Sequence, residues 1–202
     1  MKLYGDIISP FVRMSLVTAH EVGLGAKVQR MEARVAPDAV NAELAALNPV
    51  GKIPVLVTDH GHPLYDSRVI MEYLCHAAGN KALLPDDGVK RFRILTLQAL
   101  GQGMGDAAVG YRYETAARPK EFLWAGWAER QKARVTAALD DLNANWAKDL
   151  ESPSVGSIAA AVVLGYLDFR LADWSWRSGR PALAAFAERF NARPSMQATR
   201  LG

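Results

Sequence analysis

The sequence predicts a mixed α/β first part followed by an all-α second part, and three observations carry that prediction. Up to Gly79, short strand-like runs alternate with helical patterns in the order β-α-β-α-β-β-α. A βαβ unit followed by a ββα unit implies one mixed sheet with helices on its faces. Beyond Leu83-Leu84-Pro85-Asp86-Asp87-Gly88 strand signals vanish, and apolar residues recur at helical spacing over long stretches.

Each element has its own signal. Residues 2–5 form a short strand, and Pro10 suits the first turn of a helix, where its missing N–H costs nothing. Val12, Leu16, Ala19 and Val22 then recur at helical spacing until Gly23 and Gly25 end the element. A second strand follows at 27–33, and a helix at 38–48 that ends at Asn48-Pro49. Strands at 53–59 and 62–66 form a hairpin about His60-Gly61, and Asp66 or Ser67 starts a helix that Gly79 stops. Residues 90–150 read as two long helices broken near 115–121. Another helix starts at Ser157, and a last one spans 180–192. The expected domains are therefore 1–79 and 86–202.

Composition narrows the function classes. Half of the 202 residues are apolar and the net charge is only +3, with cations and acids interleaved as in Glu129-Arg130-Gln131-Lys132. That pattern denotes solvated helix faces and not a nucleic-acid footprint. Cys75 is the only cysteine, which excludes an internal disulfide, and its helical setting marks it as a small buried hydrophobe. His60 and His62 flank a turn glycine with no cysteine nearby, so no metal is expected. The opening residues lack a signal-peptide core, and the apolar run around 158–167 is too short to span a bilayer. The expected location is the cytosol, with no membrane partner.

Three stretches carry chemistry. Ser9-Pro10 opens the first helix. As N-cap its oxygen is expected to accept from a helix N–H while its own O–H remains free to donate, and a thiolate at that helix end is favoured by both the hydrogen bond and the positive dipole. In the run from Asn48 to Val57, Ile53-Pro54 is either a trans proline at an edge-strand start or a cis bond, which before proline costs only about 0.5–1 kcal/mol. The cis form turns the Ile53 backbone outward to pair with an extended ligand. Asp66 and Ser67 stand at a helix start that caps itself or holds an anion, and Asp66 beside such a site suits a zwitterion.

Together, Ser9-Pro10-Phe11-Val12-Arg13, the run Asn48-Pro49-Val50-Gly51-Lys52-Ile53-Pro54-Val55-Leu56 and Asp66-Ser67 resemble the glutathione transferase family over essentially the whole chain. The resemblance implies a thioredoxin-like βαβαββα N-terminal domain and a helical-bundle C-terminal domain. It implies reduced glutathione as co-substrate, a small hydrophobic electrophile, a homodimer and a detoxifying conjugation. Ser9 is the catalytic residue it implies, donating to the glutathione sulfur. Phe11, Lys52, Ile53, Pro54, Asp66 and Ser67 complete the glutathione site, with Lys52 near the glycyl carboxylate and Asp66 facing the γ-glutamyl ammonium. Arg13 stays outside that set, as a solvated helix residue or an ion-pair partner. Serine at the thiol position disfavours thiol transfer through the enzyme's own sulfur.

Two departures stand out. The family's usual cap of Ser or Thr with an acid three residues on reads here as Ser157-Ile158-Ala159-Ala160, with Ala160 in place of the acid. Asp66 replaces the more usual Glu or Gln. The electrophile is expected against the first long helix, whose Gly101, Gly103, Gly105 and Gly110 permit close approach of a partner subunit or a ligand. Met104 and Tyr111 are the pocket candidates, with ordinary packing the alternative for Met104 and a leaving-group role for the Tyr111 hydroxyl. Rival readings are a glutathione-dependent isomerase of an unsaturated acid, gripped by a cation such as Arg112, and a non-catalytic interaction module.

Overall fold

A computed structural model describes residues 1–201. Its strands are β1 (Lys2–Tyr4), β2 (Gln29–Met31), β3 (Val55–Val57) and β4 (Pro63–Leu64). Its α-helices are α1 (Pro10–Glu21), α2 (Ala42–Leu47), α3 (Ser67–Ala77), α4 (Gly88–Arg112), α5 (Ala125–Asn145), α6 (Val155–Arg170), α7 (Pro181–Asn191) and α8 (Pro194–Ala198). The sheet order is β2-β1-β3-β4; β1 pairs parallel with β2 and antiparallel with β3. This is the thioredoxin-like βαβαββα arrangement followed by an all-α part. No helix among the described residues is long and apolar enough to cross a membrane.

The chain divides into two compact units, residues 1–92 with 192–202, and residues 93–191. The last helix, inside the stretch read as the helical domain, thus packs with the sheet-bearing unit.

In the first unit, Leu3 and Leu56 of the sheet meet Val12, Leu16 and Ala19 of α1 and Ile70 and Leu74 of α3 in one buried cluster. Gly5 lets α1 approach. Its φ is +151°, and a Cβ there would stand 2.4 Å from Val12 Cγ2. α8 is fastened to α1 at two points. Glu21 accepts from Arg193 Nε and Nη2, each at 2.7 Å, and from the Ser195 hydroxyl. Arg13, only 5 % exposed, donates to the Met196 carbonyl and the Thr199 hydroxyl. It is therefore neither solvated nor ion-paired among the described residues, and burial pushes its guanidinium down to about 10.

Three local expectations are corrected. α2 covers 42–47 and not 38–48, because Asn41 takes the N-cap and accepts from the Leu44 N–H. α6 begins three residues earlier than Ser157. Ser154 is its N-cap, accepting from the Ser157 N–H, and the Ser157 hydroxyl at the third helical position accepts in turn from the Ser154 N–H. The reciprocal cap is therefore complete, with a serine as the returning partner, and Ala160 lies beyond it. The helix glycines admit neither subunit nor ligand where they are crowded. A Cβ on Gly101 would meet the α6 backbone at Ala159, at 2.9 Å, and one on Gly110 the Trp127 ring, at 3.0 Å. A Cβ on Gly103 would meet nothing within 4 Å.

That contrast sets opposite signs for one substitution. Gly103→Ala is expected to stabilise by roughly 0.5–1 kcal/mol through helix propensity. Gly101→Ala is expected to destabilise by roughly 1 kcal/mol or more, since overpacking against backbone outweighs the same gain. Urea melts of the two variants check this, and equal signs would refute it. The α1–α8 clasp has a pH signature. Hydrogen bonds from Arg193, then from Ser195, with the Arg193 charge, outweigh burial and hold the Glu21 carboxyl below its usual range. Its contribution is therefore fully present above the unfolded-state value and fades as pH falls through the lowered native one. Glu21→Gln is expected to cost about 2 kcal/mol at neutral pH and much less in acid. A variant deficit that is constant from pH 7 to pH 3 would contradict the clasp.

Candidate active site

The strand register gathers the singled-out residues of the first unit at one end of the sheet. Tyr4 pairs with Val55 and Leu56 with Leu64. The segments leaving β1, entering β3 and leaving β4 therefore share that end, and these segments are Gly5–Ser9, Lys52–Pro54 and Tyr65–Ser67. A Cβ on Gly5 would lie 3.3 Å from the Ile53 Cβ, which fixes how close the first two come.

Ser9 is the N-cap of α1, but its side chain makes no capping bond. This corrects the expectation that the hydroxyl accepts from the helix. The turn is made without it, because Asp6 does the local work. The Asp6 carboxylate accepts from the Ile8 N–H at 2.9 Å, and its carbonyl accepts from the Ser9 N–H at 3.0 Å. Pro10 has no N–H to satisfy. Among the described residues the Ser9 hydroxyl and the Phe11 N–H are both without hydrogen-bond partners, at the helix end where anions are favoured. Both residues are half-buried.

The second segment is braced by Asn48, 3 % exposed. Its amide donates to the Lys52 carbonyl at 2.9 Å and its side-chain oxygen accepts from the Val50 N–H at 3.1 Å. Lys52 is left exposed and without an acid partner among the described residues. The Ile53–Pro54 peptide is cis, as is Tyr65–Asp66. The Ile53 side chain packs on the core beneath α1, and its backbone has no partner among the loop hydrogen bonds of the described residues.

Asp66 caps α3, accepting from the Arg68 N–H at 2.9 Å, and pairs with the Arg68 guanidinium at 3.0 Å. Burial raises its carboxyl, but the Arg68 side chain, its N–H and its charge together prevail and hold it below the usual range. Asp66 is thus an ionised, half-exposed carboxylate with Arg68 as a standing partner. Ser67 beside it is buried. Asn48, Asp6 and Arg68 are the positioning residues that motif reading passes over. For Asp6 and Asn48 the signal is local, an Asx side chain reaching two to four residues along the chain, and Arg68 is met by the Asx side chain of Asp66 two residues before it.

The other two candidates belong to the second unit. Met104 is 2 % exposed, in keeping with ordinary helix packing. Tyr111 is half-buried and meets Trp174 edge to face, with ring centroids 4.7 Å apart. Cys75 is buried, and desolvation followed by the Glu72 charge pushes its thiol up to about 11, so it holds no thiolate at neutral pH.

Comparison with known proteins places this arrangement. Residues 8–77 match the glutathione S-transferase N-terminal domain and residues 125–189 the glutathione S-transferase C-terminal domain. A GST-like protein of Escherichia coli K12, YibF, is 31 % identical over 98 % of both chains. A glutathione transferase family member from Pseudomonas fluorescens Pf-5, solved with bound glutathione, is 42 % identical and superposes with a TM-score of 0.96, covering all of this chain and 98 % of the other. A second structure from that organism, with bound S-(propanoic acid)-glutathione, is 40 % identical with a TM-score of 0.91 over the full length of both chains. With both domains matched in order and relatives spanning its length, the chain belongs to the glutathione S-transferase family.

Proposed function

We propose that the protein conjugates reduced glutathione to an electrophile, with Ser9 stabilising the thiolate. The single observation that carries this reading is the unspent Ser9 hydroxyl at the start of α1. A capping serine lends its oxygen to a helix N–H; here neither the oxygen nor the O–H is engaged, and the O–H is available to a ligand. A sulfur accepting that bond also faces the unpaired Phe11 N–H and the positive end of α1. All three effects favour thiolate over thiol and lower the thiol pKa.

The rest of the tripeptide finds complementary chemistry at the same sheet end. The Ile53 backbone pairs with the cysteinyl segment, with Pro54 as the fixed step into β3. Lys52 offers its ammonium to the glycyl carboxylate. Asp66 takes the γ-glutamyl ammonium and Ser67 its carboxylate. Because Arg68 already holds Asp66, the ammonium shares that carboxylate, whose two oxygens offer about four acceptor positions. Glutathione bound in a relative 42 % identical over the full chain supports glutathione as the ligand. The protein's work is then positioning and electrostatic stabilisation, since the thiolate is itself the nucleophile.

The acceptor is a small electrophile, with Tyr111 and the wall around Met104 as its pocket candidates. A conjugate with a carboxyl-bearing substituent is bound by a relative 40 % identical, which favours acid-bearing acceptors as a class. Glutathione-dependent isomerisation of an unsaturated acid is the second reading, favoured by Arg112, which has no acid partner among the described residues. Thiol consumption separates the two, since isomerisation returns glutathione. A homodimer in the cytosol is the expected state of the protein. A monomer mass by sedimentation would contradict the dimer.

Ser9→Ala is expected to lower kcat/KM for an aryl halide at least about tenfold, the worth of one charge-assisted hydrogen bond. The acid limb of the pH–rate profile should move to higher pH, because the thiol pKa is no longer depressed. Glutathione should still raise the melting temperature of both proteins by mass action. Unchanged turnover in the variant would make Ser9 a structural residue. No thermal shift in the wild type at millimolar glutathione would leave the interaction-module reading standing.

A further inference from the structure

We propose, on the glutathione-conjugating reading, that the buried guanidinium of Arg13 helps keep the glutathione sulfur ionised, acting through its charge and not by contact. Every protein group involved lies in the first unit. A cation buried here is a cost to the fold that packing alone does not return.

Arg13 closes the first turn of α1, and its N–H donates to the Ser9 carbonyl at 3.0 Å. Four residues of helix span about 6 Å, and a helical side chain leans back toward the N-terminus. α8 holds the head of this side chain. Glu21, at the far end of α1, meets Arg193 and Ser195, while Arg13 meets Met196 and Thr199. α8 therefore runs back along α1 toward its start. The guanidinium donates to the Met196 carbonyl at 3.3 Å and through Nε to the Thr199 hydroxyl at 3.4 Å. Both acceptors are neutral, so these bonds orient the cation and leave its charge intact. Burial pushes Arg13 down to about 10, which keeps it charged at neutral pH, and shields it from the water and salt that would screen it.

No acid answers that charge among the described residues. Residues 192–201, which include α8, carry only the cations Arg193 and Arg200. On α1 itself His20 is exposed and Glu21 is taken by Arg193. On α3, the other helix packed on α1, Asp66 pairs with Arg68 and Glu72 with Arg91, and Tyr73, Cys75 and His76 complete the titratable groups. β1 adds Lys2 and Tyr4, and the turn after α1 adds Lys27. At the start of α1 the nearest charge in sequence is Asp6. Its carboxylate shapes the turn by accepting from the Ile8 N–H, and its negative charge opposes a thiolate there. Arg13 supplies the opposite sign one turn further on. At an effective dielectric of about 20, a unit charge on the order of 10 Å away moves a titration by roughly one pH unit.

The test saturates the full chain with glutathione and titrates the thiol of the bound ligand by the ultraviolet absorbance of its thiolate. A cation favours the anionic form, so losing it raises the midpoint. Arg13→Met removes the charge, keeps most of the volume and is expected to raise the midpoint by about one pH unit. Thr199→Asp keeps Arg13 and sets a carboxylate against it, so the midpoint should rise there too, whether or not Arg13→Met folds. Arg13→Lys keeps the charge without the fork, and Thr199→Val removes one acceptor and leaves the charge. Both should stay near the wild-type midpoint. S-methylglutathione, which has no thiol to ionise, should bind every variant about as it binds the wild type. An unmoved midpoint in either charge-cancelling variant that still binds S-methylglutathione would overturn the proposal. So would an equal rise in Thr199→Val, which would trace the effect to the α1–α8 clasp and not to charge. A wild type that binds no glutathione, or binds it with the thiol titrating as in water, would instead overturn the conjugation reading and this inference with it.

Discussion

The placement of α1 is the constraint on which the candidate site depends. Gly5 removes the side chain that would hold α1 off the sheet, and Val12 fills the space so made. At the other end Glu21 is tied to Arg193 and Ser195, and midway Arg13 reaches Met196 and Thr199. The sheet and α8 therefore fix a helix whose first residue is Pro10. Arg13 is the costly member of this set. Its charge is buried against neutral acceptors, where a well-packed apolar residue would often be no less stable.

With α1 fixed, hydrogen-bond economy decides which groups around Ser9 are engaged. A turn into a helix leaves several N–H groups without partners. Here the Asp6 carboxylate and carbonyl shape the entry, and proline removes one donor outright. The Phe11 N–H, which a capping serine oxygen would take, stays without a partner among the described residues. Asn48 plays the corresponding part in the second loop, satisfying Lys52 and Val50 from a buried position so that Ile53 keeps its own backbone groups. In both places a short polar side chain satisfies backbone groups two to four residues away, and the Ser9 hydroxyl and the Ile53 backbone stay without partners among the described residues.

The strands and most helix limits were legible in the sequence, because period and punctuation are local. Gly23, the Asn48-Pro49 stop and the Asp66-Ser67 start all fall where the signals put them. What misled was choice among equivalent signals. Either Ser154 or Ser157 is a plausible cap, and only the packed helix shows that they cap each other. Likewise the hydroxyl of Ser9 has two uses that no spacing distinguishes. The α4 glycines look alike in sequence, yet α6 crowds Gly101 and leaves Gly103 alone. Arg13 and α8 lie more than 180 residues apart along the chain. No local pattern connects them, and a cation on a helix is ordinarily read as solvated.

The same distinction explains why the tripeptide is easier to read than its acceptor. Glutathione has fixed charges at its ends and an extended backbone between them, so the groups proposed for it, a helix start, a strand edge and a capped acid, are read in chain order. An acceptor is defined by what surrounds it in space. Arg112 and Arg170 are 58 positions apart, and each alone is an unremarked helix cation. Only the parallel run of α4 and α6 brings them to one end, and only the commitment of Glu114 and Asp168 elsewhere leaves their charge unanswered. Two helix cations without acid partners among the described residues are a property of the folded chain that no local pattern announces.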